Sequence, residues 1–188
     1  MTTGKQTGDV IDPQNVADAR HPQSVAEAAD PQAGAEAGHP QNVAEATRDA
    51  MWRNDRASRW LGMVVRAVGP GTATVSMTVR NEMLNGHDIC HGGLITTLAD
   101  SAFAFACNAY NEVTVASGFD VNLVAAARLD DVLTATATQT NKAGRTGVYD
   151  IAVRNQHGEA VAIFRGRSYT IKGKPVVEGL PIGPQPCP

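Results

Sequence analysis

The pattern of apolar residues in this chain is clearest over residues 85–110, where it has the spacing of a helix. Five apolar side chains recur three or four positions apart: Leu94, Ile95, Leu98, Ala102 and Phe105. The opposite side carries Asp100 with threonines, Cys107 and Asn108. Alanine is dense throughout the stretch, so another layer of backbone can approach closely. The sequence therefore predicts one long, buried helix that follows a loop through His91-Gly92-Gly93.

Six further runs have the composition and spacing of β-strands. They span residues 61–68, 72–80, 113–123, 132–140, 147–154 and 160–171. In the second run, alternation places Ala73, Val75, Met77 and Val79 on one face. Two strands, a helix and then four strands predict an α+β fold, in which an antiparallel β-sheet wraps around one long central α-helix.

The segment before the first strand, residues 48–60, has the pattern of an amphipathic helix. Met51, Trp52 and Trp60 are its expected apolar anchors. We therefore expect one domain over residues 48–172, which begins with this helix and continues through the last strand. Its size is typical of a single-core domain.

The two ends of the chain differ in composition from this domain. Residues 12–47 are four nine-residue copies, and each copy opens with Asp or His followed by proline. Proline every nine residues interrupts long helices, and the copies hold few large apolar residues. We expect residues 1–47 to form a disordered tail; a solenoid and a specific docking tail are the alternatives. Residues 173–188 are rich in proline and predict a second tail.

Charge and cysteine content argue against several classes of protein. The net charge is −3, but seven acids against two bases in residues 1–47 leave the remainder at +2. That mild excess tolerates an anionic small molecule and lacks the clustered basic face of a nucleic-acid-binding protein. Cys90, Cys107 and Cys187 have neither zinc nor disulfide spacing. Without a membrane-spanning run or a secretory signal, the sequence predicts a soluble, cytoplasmic protein.

Three motifs, taken in order, resemble one known family. The first comprises Asn85, His91-Gly92-Gly93 and Leu98-Ala99-Asp100; the others are residues 144–150 and 164–169. They resemble the hotdog-fold acyl-CoA thioesterases, and among them the PaaI-type group of phenylacetate degradation. The resemblance covers about residues 50–172. The chain departs from it after Phe119-Asp120, where the family often has a bulky turn that contains proline and this chain has Asn-Leu-Val-Ala-Ala.

The resemblance implies a hotdog fold, homodimers joined edge to edge that often pair into homotetramers, and hydrolysis of aryl-acyl-CoA substrates without a metal or organic cofactor. By matching position, Asp100 would be the catalytic carboxylate and Gly92 the amide that polarises the thioester carbonyl. Asn85 and His91 would be the orienting polar groups. The remaining candidates for binding the substrate and its phosphates are Gly93, Ser101, Arg145, Thr146, Gly147, Arg165 and Arg167.

The residue types themselves suit thioester hydrolysis, which needs a base or nucleophile and a donor for the growing negative charge. A glycine N–H at a helix N-terminus is an open donor, and an aspartate is ionised near neutral pH. Gly92 and Asp100 are eight residues apart, which is about 12 Å along a helix, whereas reacting groups approach within about 3–3.5 Å. We therefore expect a site shared between the helices of two subunits across a two-fold axis.

Each assignment has a structural alternative. Asp100 could simply lie on the polar side of a helix. Gly92-Gly93 could form only a tight entry to the helix, and Asn85 could be a turn residue before its glycine. His91 also fits the role of satisfying backbone groups. Whether Asp100 attacks the thioester or activates water stays open, as does the choice between a thioesterase, a non-catalytic acyl-CoA-binding module and a dimeric scaffold that presents the repeats.

Metal and triad chemistry have weaker support. His87, Asp88, Cys90 and His91 are close in sequence, but both histidines precede the predicted helix and no third ligand follows at a metal-binding spacing. No nucleophile-elbow sequence surrounds a serine of this chain. The sequence therefore favours neither a metalloenzyme nor a Ser-His-Asp hydrolase.

Overall fold

The computed structural model describes residues 38–183, and a single helix enclosed by one sheet lies at its centre. The elements are α1 Pro40–Asn54, α2 Arg56–Trp60, β1 Val64–Gly69, β2 Thr72–Thr78, α3 Gly92–Asn108, β3 Thr114–Leu123, β4 Val132–Ala143, β5 Thr146–Arg154 and β6 Ala160–Thr170. Neighbouring strands are antiparallel, in the order β1-β2-β4-β5-β6-β3. The predicted α+β architecture is confirmed, and β3 lies at one edge of the sheet. Within residues 38–183, none of the helices combines the length and apolar character needed to cross a bilayer.

The central helix α3 packs against all six strands because its inner side is lined with small residues. Ala99, Ala102 and Ala106 are fully buried together with Leu98. Alanine leaves room for the sheet backbone to approach, so the sheet can curl around the helix. The predicted apolar face of β2 is buried against it as well.

Part of the helix side that we predicted to be polar is also buried. Cys107 and Asn108 are 1% and 6% exposed. Phe103, which the helical pattern did not single out, is buried as well, and its ring centroid lies 5.3 Å from that of Tyr149. A Cβ on Gly166 of β6 would come within 3.0 Å of the Phe103 ring, so β6 can pass this close only as glycine. The sheet therefore covers more of the surface of α3 than the spacing of its apolar residues predicted.

The N-terminal helix α1 begins at Pro40, inside the fourth nine-residue copy, and not at Arg48 as predicted. His39 caps it, since its Nδ1 accepts a hydrogen bond from Gln41 N, and proline is well tolerated in the first helical turn. Val43 and Ala44 are buried, so this copy belongs to the folded domain. The other three copies span residues 12–38, and residues 12–37 lie outside the described residues.

The helix predicted over residues 48–60 is divided in two at Asp55. The Asp55 carboxylate accepts a hydrogen bond from Ser58 N at 2.9 Å and so caps α2. Met51 and Trp52 pack against the core as predicted. Trp60 does not, because its side chain is 72% exposed.

The segment 173–183, which we call the C-terminal strap, is docked on the domain and is not a loose tail. Asn111 holds it: its Nδ2 donates to Val177 O and Leu180 O, both at 3.0 Å, and its Oδ1 accepts from Val177 N at 2.8 Å. Asn111 is fully buried and has a positive φ of 58°. Gly183 N also donates to Tyr110 O. The remaining residues of the predicted tail, 184–188, lie outside the described residues.

Replacing Asn111 tests whether this one side chain secures the strap. Asn111→Ala removes the side-chain hydrogen bonds to Val177, Leu180 and Pro181 and places alanine at a positive φ, so we expect it to lower the free energy of unfolding by about 2–4 kcal/mol. Asn111→Gly removes the same bonds without the backbone penalty and should cost about 1 kcal/mol less. Urea denaturation measures both. Two variants with wild-type stability would contradict this role.

Candidate active site

The N-terminus of α3 presents an unused backbone donor at Gly92. His91 is the N-cap residue, and its Nδ1 accepts a hydrogen bond from Gly93 N at 3.1 Å. No acceptor within residues 38–183 takes the Gly92 N–H. The first N–H groups of a helix lie at the positive end of its dipole. This N–H is therefore placed to stabilise a negative oxygen.

Gly92 lies against the side chain of Leu123, the last residue of β3. A Cβ at position 92 would push the end of this exposed side chain aside. Gly92, Asn85 and Leu123 together border a cavity of about 360 Å³. Its other walls are small or apolar residues: Ile89, Cys90, Ile95 and residues 124–127. The stretch in which the chain departs from the family pattern therefore lies against Gly92.

Asn85 and His91 both have structural roles: Asn85 closes a turn and His91 satisfies a backbone N–H. Asn85 Oδ1 accepts a hydrogen bond from His87 N at 2.9 Å, and Asn85 O accepts one from Asp88 N, which together close a turn. His91 caps α3. The Asn85 Nδ2 donates to no acceptor in the described part of the chain, so it keeps a donor for the cavity that Asn85 borders.

Asp100 borders a second cavity, of about 400 Å³, halfway along α3. The walls around it are mostly apolar or small: Met51, Phe103, Ala104, Cys107, Asn108, Val113, Thr114, Val115, Ala116 and Val176. Burial raises the pKa of Asp100 above its ordinary value. Among residues 38–183, no hydrogen-bond donor or basic group pairs with its carboxylate. A half-buried acid without a partner is a candidate base or nucleophile.

Cys107 borders the same cavity but is a poor nucleophile. Burial, the largest influence on it, raises the pKa of its thiol to about 12, so the sulfur is protonated at neutral pH. The thiol donates weakly to Ala104 O at 3.5 Å. Of the two side chains, Asp100 is therefore the stronger candidate for a reactive group.

Asn108 joins α3 to the β3 residues that border the same cavity. Its Nδ2 donates to Thr114 O at 2.8 Å and its Oδ1 accepts from Thr114 N at 2.9 Å. This reciprocal pair joins the last turn of α3 to the first residue of β3. The residues that follow, Val115 and Ala116, are therefore held at a set distance from the helix.

Within one chain the predicted catalytic residues do not share a cavity. Gly92 and Asp100 border the two separate cavities described above. Gly93 is exposed and donates to the His91 ring. The hydroxyls of Ser101 and Ser58 lie 3.0 Å apart and share a hydrogen bond, and Ser101 borders neither cavity.

The predicted substrate-binding residues of the β4–β5 hairpin lie at the same end of the sheet as the Asp100 cavity. Thr146 and Gly147 pair with residues 169 and 168 of β6, which pair in turn with Val115 and Ala116 of β3. None of the hairpin residues borders that cavity directly. Arg145 donates to the Tyr169 hydroxyl at 3.0 Å.

The other two arginine candidates are paired with carboxylates. Arg165 makes a bidentate contact with Asp150, at 2.6 and 2.8 Å, and Arg167 donates to Asp120. Their charges are therefore largely balanced, whereas Arg145 is bonded to a neutral hydroxyl. In the described range, no three His, Cys, Asp or Glu side chains come together in a group that could hold a metal ion.

Several residues that shape the Asp100 cavity have no functional signal in the sequence. Met51 and Val113 have ordinary apolar patterns, and Val176 lies in a segment expected to be a tail. Asn108 was assigned to the polar side of the helix. A family motif locates groups that react, but the walls around them come from segments distant in sequence.

Comparisons with known proteins agree with this architecture. Residues 87–162 match the family described as the thioesterase superfamily. The acyl-coenzyme A thioesterase PaaI of Escherichia coli (strain K12) is 44% identical over 124 residues, which cover 66% of this chain and 89% of that protein.

Solved structures agree as well. The E. coli PaaI protein from the phenylacetic acid degradation operon matches with a TM-score of 0.71 at 41% identity. The match covers 72% of this chain and 99% of that protein. A hypothetical thioesterase from Streptococcus pneumoniae TIGR4, solved with coenzyme A, has a TM-score of 0.57 at 25% identity. The match covers 60% of this chain and 90% of that protein. The chain therefore belongs to the hotdog thioesterase superfamily and, within it, to the PaaI-type acyl-CoA thioesterases.

Proposed function

We propose that this enzyme hydrolyses aryl-acyl-CoA thioesters, of the phenylacetyl-CoA or hydroxyphenylacetyl-CoA type, at sites shared between two subunits. The observation that carries the proposal is the unpaired, half-buried carboxylate of Asp100 in a mostly apolar cavity. A second observation supports it, namely the unused N–H of Gly92 in a separate cavity. The E. coli relative comes from a phenylacetic acid degradation operon, which favours an aryl-acyl substrate.

The edge strand β3 supports the shared site. It has a partner on one side only, and Val115, Phe119 and Leu123 expose 47%, 42% and 51% of their surface. An exposed edge with apolar side chains favours pairing with a second chain. If two copies pair antiparallel along β3, their α3 helices run side by side in opposite directions. The Gly92 end of one helix then lies beside the Asp100 turn of the other.

In such a site, Asp100 of one subunit and Gly92 of the other have different roles in hydrolysis. The Asp100 carboxylate takes a proton from water while the water oxygen bonds to the thioester carbonyl carbon, and the partner's Gly92 N–H donates to the carbonyl oxygen as it becomes negative. The carbon–sulfur bond then breaks, and the CoA sulfur takes the proton from Asp100. Direct attack by the carboxylate, with an acyl-aspartyl anhydride that water hydrolyses, needs the same two groups.

The remaining polar candidates fit binding and orientation. Asn85 Nδ2 is a spare donor at the Gly92 cavity, and His91 orients the amides of the first turn by capping it. Arg145 is the arginine candidate whose charge is not paired with a carboxylate, so it suits a CoA phosphate. The S. pneumoniae relative solved with coenzyme A is consistent with a CoA ligand.

The role of Asp100 in turnover is tested by Asp100→Asn. We expect kcat/KM for phenylacetyl-CoA to fall about 10²- to 10⁴-fold, because the amide can neither accept the proton nor attack. Thiol release, followed with a chromogenic disulfide reagent, measures the rate. Asp130→Asn is the matched control: Asp130 is exposed at a φ of 68°, which asparagine tolerates, and borders neither cavity. Wild-type protein that binds the thioester without releasing thiol would instead be a binding module.

The same variant should gain stability at neutral pH. Burial raises the pKa of Asp100 in the folded state above its unfolded value, so ionising it costs stability as pH rises through the folded pKa. Asp100→Asn lacks this cost, and we expect it to melt at a higher temperature than wild type at about pH 7. The difference should vanish below the ordinary Asp pKa of about 3.9. Thermal denaturation of both proteins at about pH 7 and at a pH below about 3.9 measures this difference. Equal melting temperatures at neutral pH would contradict a desolvated carboxylate.

Mixed subunits test the shared site. In a heterodimer of Asp100→Ala and Asn85→Ala subunits, one composite site contains both intact residues and the other contains neither. We expect each pure variant to be nearly inactive and the isolated heterodimer to regain about half of the wild-type rate per dimer. Differently tagged subunits, co-purified and assayed for thiol release, provide the measurement. Verified heterodimers that stay inactive would place the whole site in one subunit.

A further inference from the structure

The Asp100 cavity has two walls that come from outside residues 87–162, the stretch that the family model matches. The family match covers residues 87–162, whereas Met51 of α1 and Val176 of the C-terminal strap lie beyond it on either side. The other lining residues, Asp100 among them, fall within that region. These two side chains are therefore contributed by the flanking segments of this chain.

Val176 is held in place by a rigid attachment. The next residue, Val177, exchanges two backbone hydrogen bonds with the buried Asn111 side chain, at 3.0 and 2.8 Å. On the other side, Val113 N donates to Lys174 O at 2.9 Å, and Val113 also borders the cavity. Anchors two residues before and one residue after Val176 fix its backbone. Valine has few side-chain rotamers, so its methyl groups form a defined surface.

The neighbouring residues make the size of residue 176 matter. Ala104, Cys107 and Ala116 are small, so they do not fill the cavity themselves. No basic residue borders it, and a second carboxylate in the acyl group would lie unpaired beside Asp100. The cavity therefore suits an uncharged, apolar acyl group whose length and width are limited by the branched side chain of Val176.

We propose that Val176, presented by the C-terminal strap, is a specificity-determining residue that sets the size of the acyl group. This inference rests on the proposed function, because it takes the Asp100 cavity as the acyl site. It adds that an element outside residues 87–162 selects the substrate. It also predicts that acyl groups carrying a carboxylate, such as succinyl, are poor substrates.

The test compares Val176→Phe with Val177→Phe, the same change one residue along the same strap. Val177 does not border the cavity. We expect Val176→Phe to lower the ratio of kcat/KM for phenylacetyl-CoA to kcat/KM for acetyl-CoA by at least about tenfold, since one methylene in an apolar pocket already changes discrimination by about 10- to 200-fold. Val177→Phe should leave this ratio within about twofold of wild type. A ratio does not respond to a uniform loss of folded protein, so a merely structural role would not move it.

Val176→Ala keeps the proposal testable if phenylalanine prevents folding. Removing two methyl groups enlarges the cavity, and we expect the ratio for naphthylacetyl-CoA against phenylacetyl-CoA to rise, whereas Val177→Ala should not change it. An active wild type with unchanged ratios in both Val176 variants would overturn the role of Val176 and leave the thioesterase assignment standing. Wild-type protein that hydrolyses none of these thioesters would instead refute the proposed function, and the inference with it.

Discussion

The enclosure of α3 by a single sheet is the constraint on which the rest of the molecule depends. Alanines on the inner side of the helix let six strands approach, and Gly166 lets β6 pass over the Phe103 ring. Once the helix is surrounded, an acid in its middle turns cannot be fully solvated. Asp100 is therefore half-buried with a raised pKa, because the packing that forms the core also removes water from its carboxylate.

The same enclosure gives the two ends of α3 different properties. At its start, His91 takes the Gly93 N–H and leaves the Gly92 N–H without an acceptor in residues 38–183. At its end, Asn108 ties the last turn to β3. One end is therefore open to a negative ligand, whereas the other is fixed to the sheet. The open donor and the rigid cavity wall therefore come from opposite ends of one helix and border two different cavities.

The sequence predicted the strands and the central helix because their residues alternate or recur with the periods of these elements. Its motifs also predict Asp100 and Gly92 as site residues, and their catalytic roles stay predictions. It failed at α1, where proline was taken as a helix breaker although Pro40 occupies the first turn behind a capping histidine. It failed again at the C-terminal strap, because docking there uses backbone carbonyls, which leave no pattern in side-chain identity.

The backbone attachment of the strap has a consequence for how such an enzyme can diversify. Asn111 binds the amide and carbonyl groups of Val177 and Leu180, which almost any replacement at those positions would keep. Mutations along the strap can therefore alter the surface that faces the Asp100 cavity while its docking persists. Under the proposed function, such changes would retune which acyl groups the cavity accepts and leave the candidate catalytic groups unchanged.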